Sequence, residues 1–185
     1  MSDEALAGFV KETAEESGVT GAAVGVWADG REIFAGHGVT SVENPLPVEP
    51  DTLFLIGSVT KTVTATAVMR LVADGKVALD EPVRRYVPEL VLADERAAEQ
   101  ITVLNLLNHT SGLDWGVIGD FGEGDDALAS YVSALAGLEL IAPPGTRPSY
   151  SQAGFNLAGR VVEKATGLTY EKAVASLAGR LASRV

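Results

Sequence analysis

The sequence predicts an α+β fold, in which a β-hairpin near the N-terminus precedes a mostly helical region. Two features lead to this expectation. Asp29-Gly30, a dipeptide typical of a tight two-residue hairpin turn, lies between two runs of strand-forming composition, 22–28 and 31–39. After residue 58 the chain instead carries helical segments separated by capping residues, glycines and prolines.

The first helix is predicted ahead of the hairpin. Asp3 is a suitable N-cap, because its short side chain can accept hydrogen bonds from the free N–H groups of the first turn. Leu6, Phe9 and Val10, with Ala14 as a further candidate, recur at helical spacing and predict the apolar face of an amphipathic helix of about 14 residues. Gly18 predicts its end, since glycine readily adopts left-handed backbone angles.

The helical region is predicted from its start and stop signals. Each segment begins at a capping residue or a rigid loop and ends at a glycine or a turn. The predicted segments are a helix from Ser58 to Asp74-Gly75, a helix over 103–108 capped by Thr102, the turn 109–112, a helix over 126–136, a proline-rich loop over 143–148, and a helix over 153–166 stopped by Gly167.

Ser58 and Lys61 are the first candidates for chemistry. Three positions apart on a helix, they share one face, so the amine can reach the hydroxyl and make it nucleophilic without a histidine. Arg70 is the one charged residue in 62–73, which predicts a helix buried on most sides. The alternative interpretation is a buried helix whose first-turn lysine extends to solvent, since a Ser-x-x-Lys spacing also arises by chance.

Composition limits the partners and the compartment. With 185 residues, 46% of them hydrophobic and 21% charged, the chain is expected to form a single soluble domain over residues 1–185. A net charge of -11 repels nucleic acid and anionic membranes, so neither is expected as a partner. Cysteine is absent, which excludes disulfides and thiolate chemistry. We find no signal-like start and no apolar run of about 18 residues, and therefore expect a cytoplasmic protein.

Three motifs occur in a fixed order. The first is Ser58-Val59-Thr60-Lys61, the second is 101–113 with its His-Thr-Ser-Gly turn, and the third is Tyr150-Ser151-Gln152 after Pro144-Gly145. In order and spacing they resemble the serine β-lactamase and penicillin-recognising superfamily, specifically the branch of class C β-lactamases, D-alanyl-D-alanine carboxypeptidases and related esterases. The resemblance implies a β-lactamase/transpeptidase-like fold.

The same resemblance implies a serine hydrolase that forms an acyl-enzyme on Ser58 with a small-molecule ester, amide or β-lactam substrate. Lys61 and Tyr150 would carry the protons, and the sequence leaves open which of them is the base. Gln152 would orient the substrate, and neither a cofactor nor a metal ion is implied. From the residues alone, the alternative interpretation of Tyr150 is a loop aromatic packed on the core, and that of Gln152 is a polar residue with no part in binding.

The sequence departs from the family pattern in two places. Gln152 stands where the family usually has asparagine, and no Lys-Thr-Gly or His-x-Gly motif follows Tyr150. The resemblance implies that this absent part supplies most strands of the sheet. We therefore expect a truncated N-terminal portion of the fold, with an incomplete sheet, little or no hydrolysis of esters and β-lactams, and self-association through the exposed edge of the hairpin. The alternative function is a non-catalytic remnant, or a subunit completed by another chain.

Other candidate residues favour structural roles. His109 and His37 are expected to be satisfied structural groups rather than catalytic or metal-binding ones. The acidic residues of loop 120–126 do not follow the calcium-binding loop pattern, so a solvated loop is expected there.

Overall fold

The computed structural model describes residues 2–115 and 117–182. The described residues form two compact units, the first ending at Leu55 and the second beginning at Ile56. Together they hold seven α-helices and a two-stranded sheet, so the α+β class predicted from the sequence is confirmed. Within these ranges no helix has the length and apolar character needed to cross a bilayer.

The first unit packs one helix on a hairpin. Helix α1 (Asp3–Glu16) buries Leu6 and Val10 against Ile33 and Ala35 of the second strand. The prediction that Asp3 caps this helix is wrong, because Ser2 is the N-cap and its side chain accepts from the N–H of Ala5.

Phe9 was also expected on the apolar face of α1, and it is 64% exposed. Leu6, Val10 and Ala14 repeat every four residues and are all buried, while Phe9 falls beside that stripe. The prediction for Phe9, based on its spacing of three residues from Leu6, is therefore wrong.

The predicted hairpin is confirmed. Strands β1 (Gly21–Ala28) and β2 (Arg31–Gly38) pair antiparallel, with Ala28 opposite Arg31. Asp29 and Gly30 both have positive φ values, 51° and 73°, as the favoured two-residue hairpin turn requires.

The second unit is a helical bundle built around one central helix. Helix α6 (Gln152–Thr166) packs against the three helices α2 (Thr60–Ala73), α4 (Val103–Leu107) and α5 (Ala127–Ala134), and against α7 (Tyr170–Ala182). The remaining elements are α3 (Glu95–Gln100) and the short 3-10 helices Gly57–Val59 and Val83–Arg85. The largest fully buried side chains of the core are Leu90, Ile101, Leu106, Leu113, Leu135 and Leu157.

Helix α2 is less enclosed than its sequence suggests. It buries one face, through Thr64, Ala67, Val68 and Leu71, whereas Met69 on another face is 46% exposed. The expectation of burial on most sides is therefore not met by the described residues.

Local capping explains where α4 and α6 begin. Thr102 caps α4 as predicted, and together with Asn105 it forms a reciprocal capping box at the start of that helix. The Ser151 side chain accepts from the N–H of Gly154 and caps α6, and Gly167 ends that helix at a φ of 71°. Gln152 is consequently the first residue of α6, not part of the loop ahead of it.

Candidate active site

Ser58 and Lys61 lie on one face of a continuous helical segment. Ser58 is in the 3-10 helix Gly57–Val59, which runs directly into α2, and Lys61 is in the first turn of α2. Because residues three apart nearly eclipse each other in 3-10 geometry, the lysine Nζ donates to the serine Oγ at 3.4 Å. Ser58 is exposed and Lys61 is half-buried.

Tyr150 reaches this pair from a different part of the second unit. It lies in the loop immediately ahead of α6, and its hydroxyl donates to the Oγ of Ser58 at 2.6 Å. The Ser58 oxygen is thus hydrogen-bonded by both a phenol and an ammonium group. The resemblance implied that Lys61 and Tyr150 carry protons for Ser58, and the structure brings the three side chains together.

Gln152 is the fourth residue named from the sequence, and it binds Lys61. Its Oε1 accepts from the Lys61 Nζ at 2.6 Å, and its Nε2 donates to the Oδ1 of Asn156 at 3.2 Å. Both polar ends of the amide are therefore engaged by neighbouring side chains. Sequence analysis missed Asn156, although its position one helical turn after Gln152 was a usable signal.

His109 organises the loop that carries Tyr150. Its backbone carbonyl accepts from the N–H of Ser149 at 2.8 Å, and its Nδ1 accepts from the N–H of Ser151 at 3.1 Å. Its ring also packs on the ring of Tyr150, with centroids 4.7 Å apart. The sequence predicted a structural role for His109, and these contacts are of that kind.

The electrostatics of the site favour ionisation of the phenol. The hydrogen bond with Ser58 and the neighbouring Lys61 ammonium lower the pKa of Tyr150 below the ordinary 10.0 of tyrosine. The Nζ of Lys61 lies 4.8 Å from the centroid of the Tyr150 ring. Among the residues that the structure describes, no carboxylate forms an ion pair with Lys61, so its charge stays available to the phenol.

A cavity of about 370 Å³ opens beside these residues within the second unit. Ser58, Lys61 and Gln152 line its polar side, and Leu128, Phe155 and Tyr170 give it apolar walls. This mixed lining suits a small organic molecule with a polar reacting group.

The other sequence candidates lie elsewhere. His37 is on β2 of the first unit, opposite Ala22 in the hairpin register. In the acidic loop, Asp120 accepts from the N–H of Gly122, and Asp125 lies 3.9 Å from the Lys172 ammonium. Across the described ranges no group of three or more histidine, aspartate or glutamate side chains is arranged to hold a metal ion.

Known proteins are similar to this chain in sequence. Penicillin-binding protein 4 from Amycolatopsis lactamdurans is 39% identical over 159 residues, which cover 86% of this chain and 42% of that protein. Esterase EstB from Burkholderia gladioli is 38% identical over 156 residues, covering 76% of this chain and 39% of that protein. The chain thus spans about two fifths of the length of these relatives.

A solved class C β-lactamase from Rhodobacter sphaeroides superposes with a TM-score of 0.72 and 31% identity, over 95% of this chain and 47% of that one. This match confirms the β-lactamase/transpeptidase-like fold expected from the motifs. The family model described as Beta-lactamase matches residues 6–178. Because that match covers nearly the whole chain, the chain belongs to the beta-lactamase family.

Proposed function

We propose that Ser58 is the nucleophile of a serine hydrolase and forms an acyl-enzyme with a small ester, amide or β-lactam. The observation that carries this proposal is the position of the Ser58 Oγ, 2.6 Å from the Tyr150 hydroxyl and 3.4 Å from the Lys61 Nζ. Names of the relatives agree with it, since they include a penicillin-binding protein, an esterase and β-lactamases.

The geometry and charges support Tyr150 as the base. An ammonium group has no free lone pair, so Lys61 in its charged form cannot take the serine proton. A phenolate can only accept, so ionisation of Tyr150 would reverse the 2.6 Å contact and make Ser58 the donor. The Lys61 charge stabilises that phenolate.

The proposed acylation involves two proton transfers. Tyr150 takes the Ser58 proton while Oγ bonds to the carbonyl carbon, and the neutral phenol returns that proton to the leaving alcohol or amine as its bond to carbon breaks. Water later releases the acyl group by the reverse sequence. The backbone N–H of Ser58 would supply one donor to the developing oxyanion.

Gln152 has a supporting part in this proposal. Since its Oε1 accepts from Lys61 and its Nε2 donates to Asn156, it fixes the ammonium beside the phenol. Orientation of the substrate by Gln152 stays a prediction.

The acyl-enzyme is tested by intact mass spectrometry. Purified chain is incubated with a chromogenic β-lactam and, separately, with a nitrophenyl ester. We expect a mass increase of one acyl group per chain, absent in Ser58→Ala. Ser133→Ala is the matched control, because its hydroxyl donates to a carbonyl within α5 and lies outside the site. An adduct that persists in Ser58→Ala, or no adduct with either compound, would overturn the proposal.

A second candidate function is pairing with another polypeptide chain through the edge of the hairpin. Among the described residues β1 pairs with β2 alone, and Trp27 on β1 is 72% exposed. Unpaired strand edges are templates for further strands. Sedimentation velocity over a range of concentrations tests this candidate: a concentration-dependent dimer that is lost in Trp27→Lys supports it, and a monomer throughout contradicts self-association.

A further inference from the structure

His109 holds the chain on both sides of the Tyr150 residue. Its carbonyl accepts from the N–H of Ser149, and its ring Nδ1 accepts from the N–H of Ser151. One residue thereby fixes the backbone immediately before and immediately after the phenol-bearing position. A side chain held this way has few alternative directions in which to point.

The ring of His109 adds a third contact, with the Tyr150 side chain itself. The rings of His109 and Tyr150 are tilted by 33° relative to each other. The His109 ring also packs on Phe155, and those two ring centroids are 5.1 Å apart. Aromatic pairs at such separations attract each other beyond the area they bury. The Tyr150 ring therefore packs on His109, although Tyr150 is 45% exposed.

The backbone of His109 adopts an uncommon conformation at this point. Its φ is 61°, in the left-handed region that few residues other than glycine adopt. The next residue keeps it there, because the Thr110 N–H donates to the Asn105 carbonyl and the Thr110 carbonyl accepts from the Gly145 N–H. Such conformations are retained where the surrounding structure requires them.

The protonation state of the ring follows from its hydrogen bond. A nitrogen that accepts from a backbone N–H carries no proton, so the ring is neutral with its proton on Nε2. Burial and the positive charge of Lys61 lower the pKa of His109, which agrees with a neutral ring.

We propose that His109 is a positioning residue that places the Tyr150 phenol at hydrogen-bonding distance from Ser58 by accepting from the backbone on both sides of it. The inference rests on the proposed function of Tyr150 as the base. It predicts that loss of the Nδ1 acceptor weakens the contact with Ser58 even when a ring remains.

Two variants separate the acceptor from the ring. His109→Asn keeps an acceptor oxygen close to the Nδ1 position and tolerates a positive φ. His109→Phe keeps an aromatic ring against Tyr150 and removes the acceptor. Circular dichroism and thermal melting establish that each variant folds.

The first measurement is the ionisation midpoint of the Tyr150 phenol. It is obtained by near-ultraviolet titration, as the difference between each protein and the same protein carrying Tyr150→Phe. We expect the lowered midpoint of the unaltered chain to persist in His109→Asn and to rise towards that of free tyrosine in His109→Phe. The rate of acyl-adduct formation is expected to fall at least about tenfold in His109→Phe and to be largely restored in His109→Asn.

The second measurement uses the unaltered chain, so that it does not depend on a variant folding. Nitrogen NMR of the histidine rings is expected to show His109 as the Nε2–H tautomer, and hydrogen exchange is expected to show a protected Ser151 amide. An Nδ1–H tautomer, a freely exchanging Ser151 amide, or an unchanged phenol midpoint in a folded His109→Phe would overturn the inference. If Ser58 forms no adduct at all, the proposed function fails, while the tautomer and the phenol titration still decide the role of His109.

Discussion

The hydroxyl of Tyr150 donates to the Oγ of Ser58 across 2.6 Å, although 92 positions separate the two residues in the chain. Lys61, in contrast, meets Ser58 through local helical spacing. The site therefore combines one contact that a helix provides by itself with one that exists only when α2 and the loop ahead of α6 are packed in a single unit. Loss of tertiary packing should remove the Tyr150 contact first.

Replacement of Tyr150 by phenylalanine tests the phenol directly. The ring remains available to pack on His109, but the donor to Ser58 and the proposed base are lost. We expect acyl-adduct formation to slow by about 10²- to 10⁴-fold, the usual contribution of a positioned acid or base. The measurement is the rate of mass increase with a β-lactam.

Stability separates this effect from unfolding. The phenol oxygen is at an exposed site, so the melting temperature of Tyr150→Phe should stay close to that of the unaltered chain. An adduct rate equal to that of the unaltered chain would show that the phenol takes no part in proton transfer.

The pH dependence of acylation should report the ionisation of Tyr150. The proposed base is the phenolate, so the rate should rise with pH as the phenol loses its proton. Because Ser58 and Lys61 lower the pKa of Tyr150, the midpoint of that rise should lie below 10.0. The measurement is the adduct rate across a buffer series from mildly acidic to alkaline pH.

The Lys61→Met variant supplies the comparison. Without the ammonium, one of the interactions that lower the pKa of Tyr150 is lost, so the rise in acylation rate should move to higher pH. A profile that falls with increasing pH in the unaltered chain would contradict a phenolate base.

Local patterns predicted those parts of the structure that local chemistry determines. The turn at Asp29-Gly30 needs two residues that tolerate positive φ, and the capping box of α4 needs only Thr102 and Asn105. The pairing of Ser58 with Lys61 follows from three-residue spacing in the same way. Placing Tyr150 with them required the resemblance to a known family, since no local pattern spans 92 positions.

The features that sequence analysis missed depend on tertiary contacts. Phe9 has the hydrophobicity of a core residue, and only the packing of α1 on the hairpin decides that Leu6 and Val10 are buried in its place. The hydrogen bonds that His109 accepts from Ser149 and Ser151 likewise depend on how the turn after α4 packs against the loop before α6. Neither arrangement corresponds to a periodic pattern of residues in the sequence.

Replacement of Gln152 by glutamate tests how the charge of Lys61 affects Tyr150 while the ammonium group stays in nearly the same position. The two side chains have nearly the same shape, but a carboxylate 2.6 Å from the ammonium would pair with it and cancel much of its field. Asn156 can rotate its amide to donate to the new carboxylate. The pKa of Tyr150 should then rise, and the pH profile of acylation should move to higher pH.

Gln100→Glu is the matched control for this change. Gln100 is the exposed last residue of α3, so the variant has the same change in net charge without a carboxylate beside Lys61. Equal shifts of the pH profile in the two variants would point to net charge instead of a local effect on the site.

An ion cluster joins α6 to the loop at Glu89. The Oε1 of Glu89 accepts from Arg160 at 3.0 Å and from Lys164 at 3.0 Å, and Arg160 also donates to the buried Glu163 at 2.8 Å. Replacement of Glu89 by glutamine removes the charge and leaves two cations on α6 with less compensation. We expect a loss of about 1 kcal/mol in the free energy of unfolding near neutral pH, at the low end for charged hydrogen bonds because the cluster is partly solvated.

The pH dependence of that loss has a definite sign. Burial raises the pKa of Glu89, but hydrogen bonds from its own backbone, Lys164 and Arg160 outweigh burial and hold the pKa below 4.5. A depressed carboxyl pKa stabilises the fold fully above the unfolded value of 4.5, and this stabilisation is lost as the pH falls through the folded value. The difference in unfolding free energy between the unaltered chain and Glu89→Gln should therefore be constant near neutral pH and shrink below 4.5. Urea denaturation at a series of pH values measures it, with the exposed Glu43→Gln as control, and a difference that grows on acidification would show that the carboxylate of Glu89 does not stabilise the bundle.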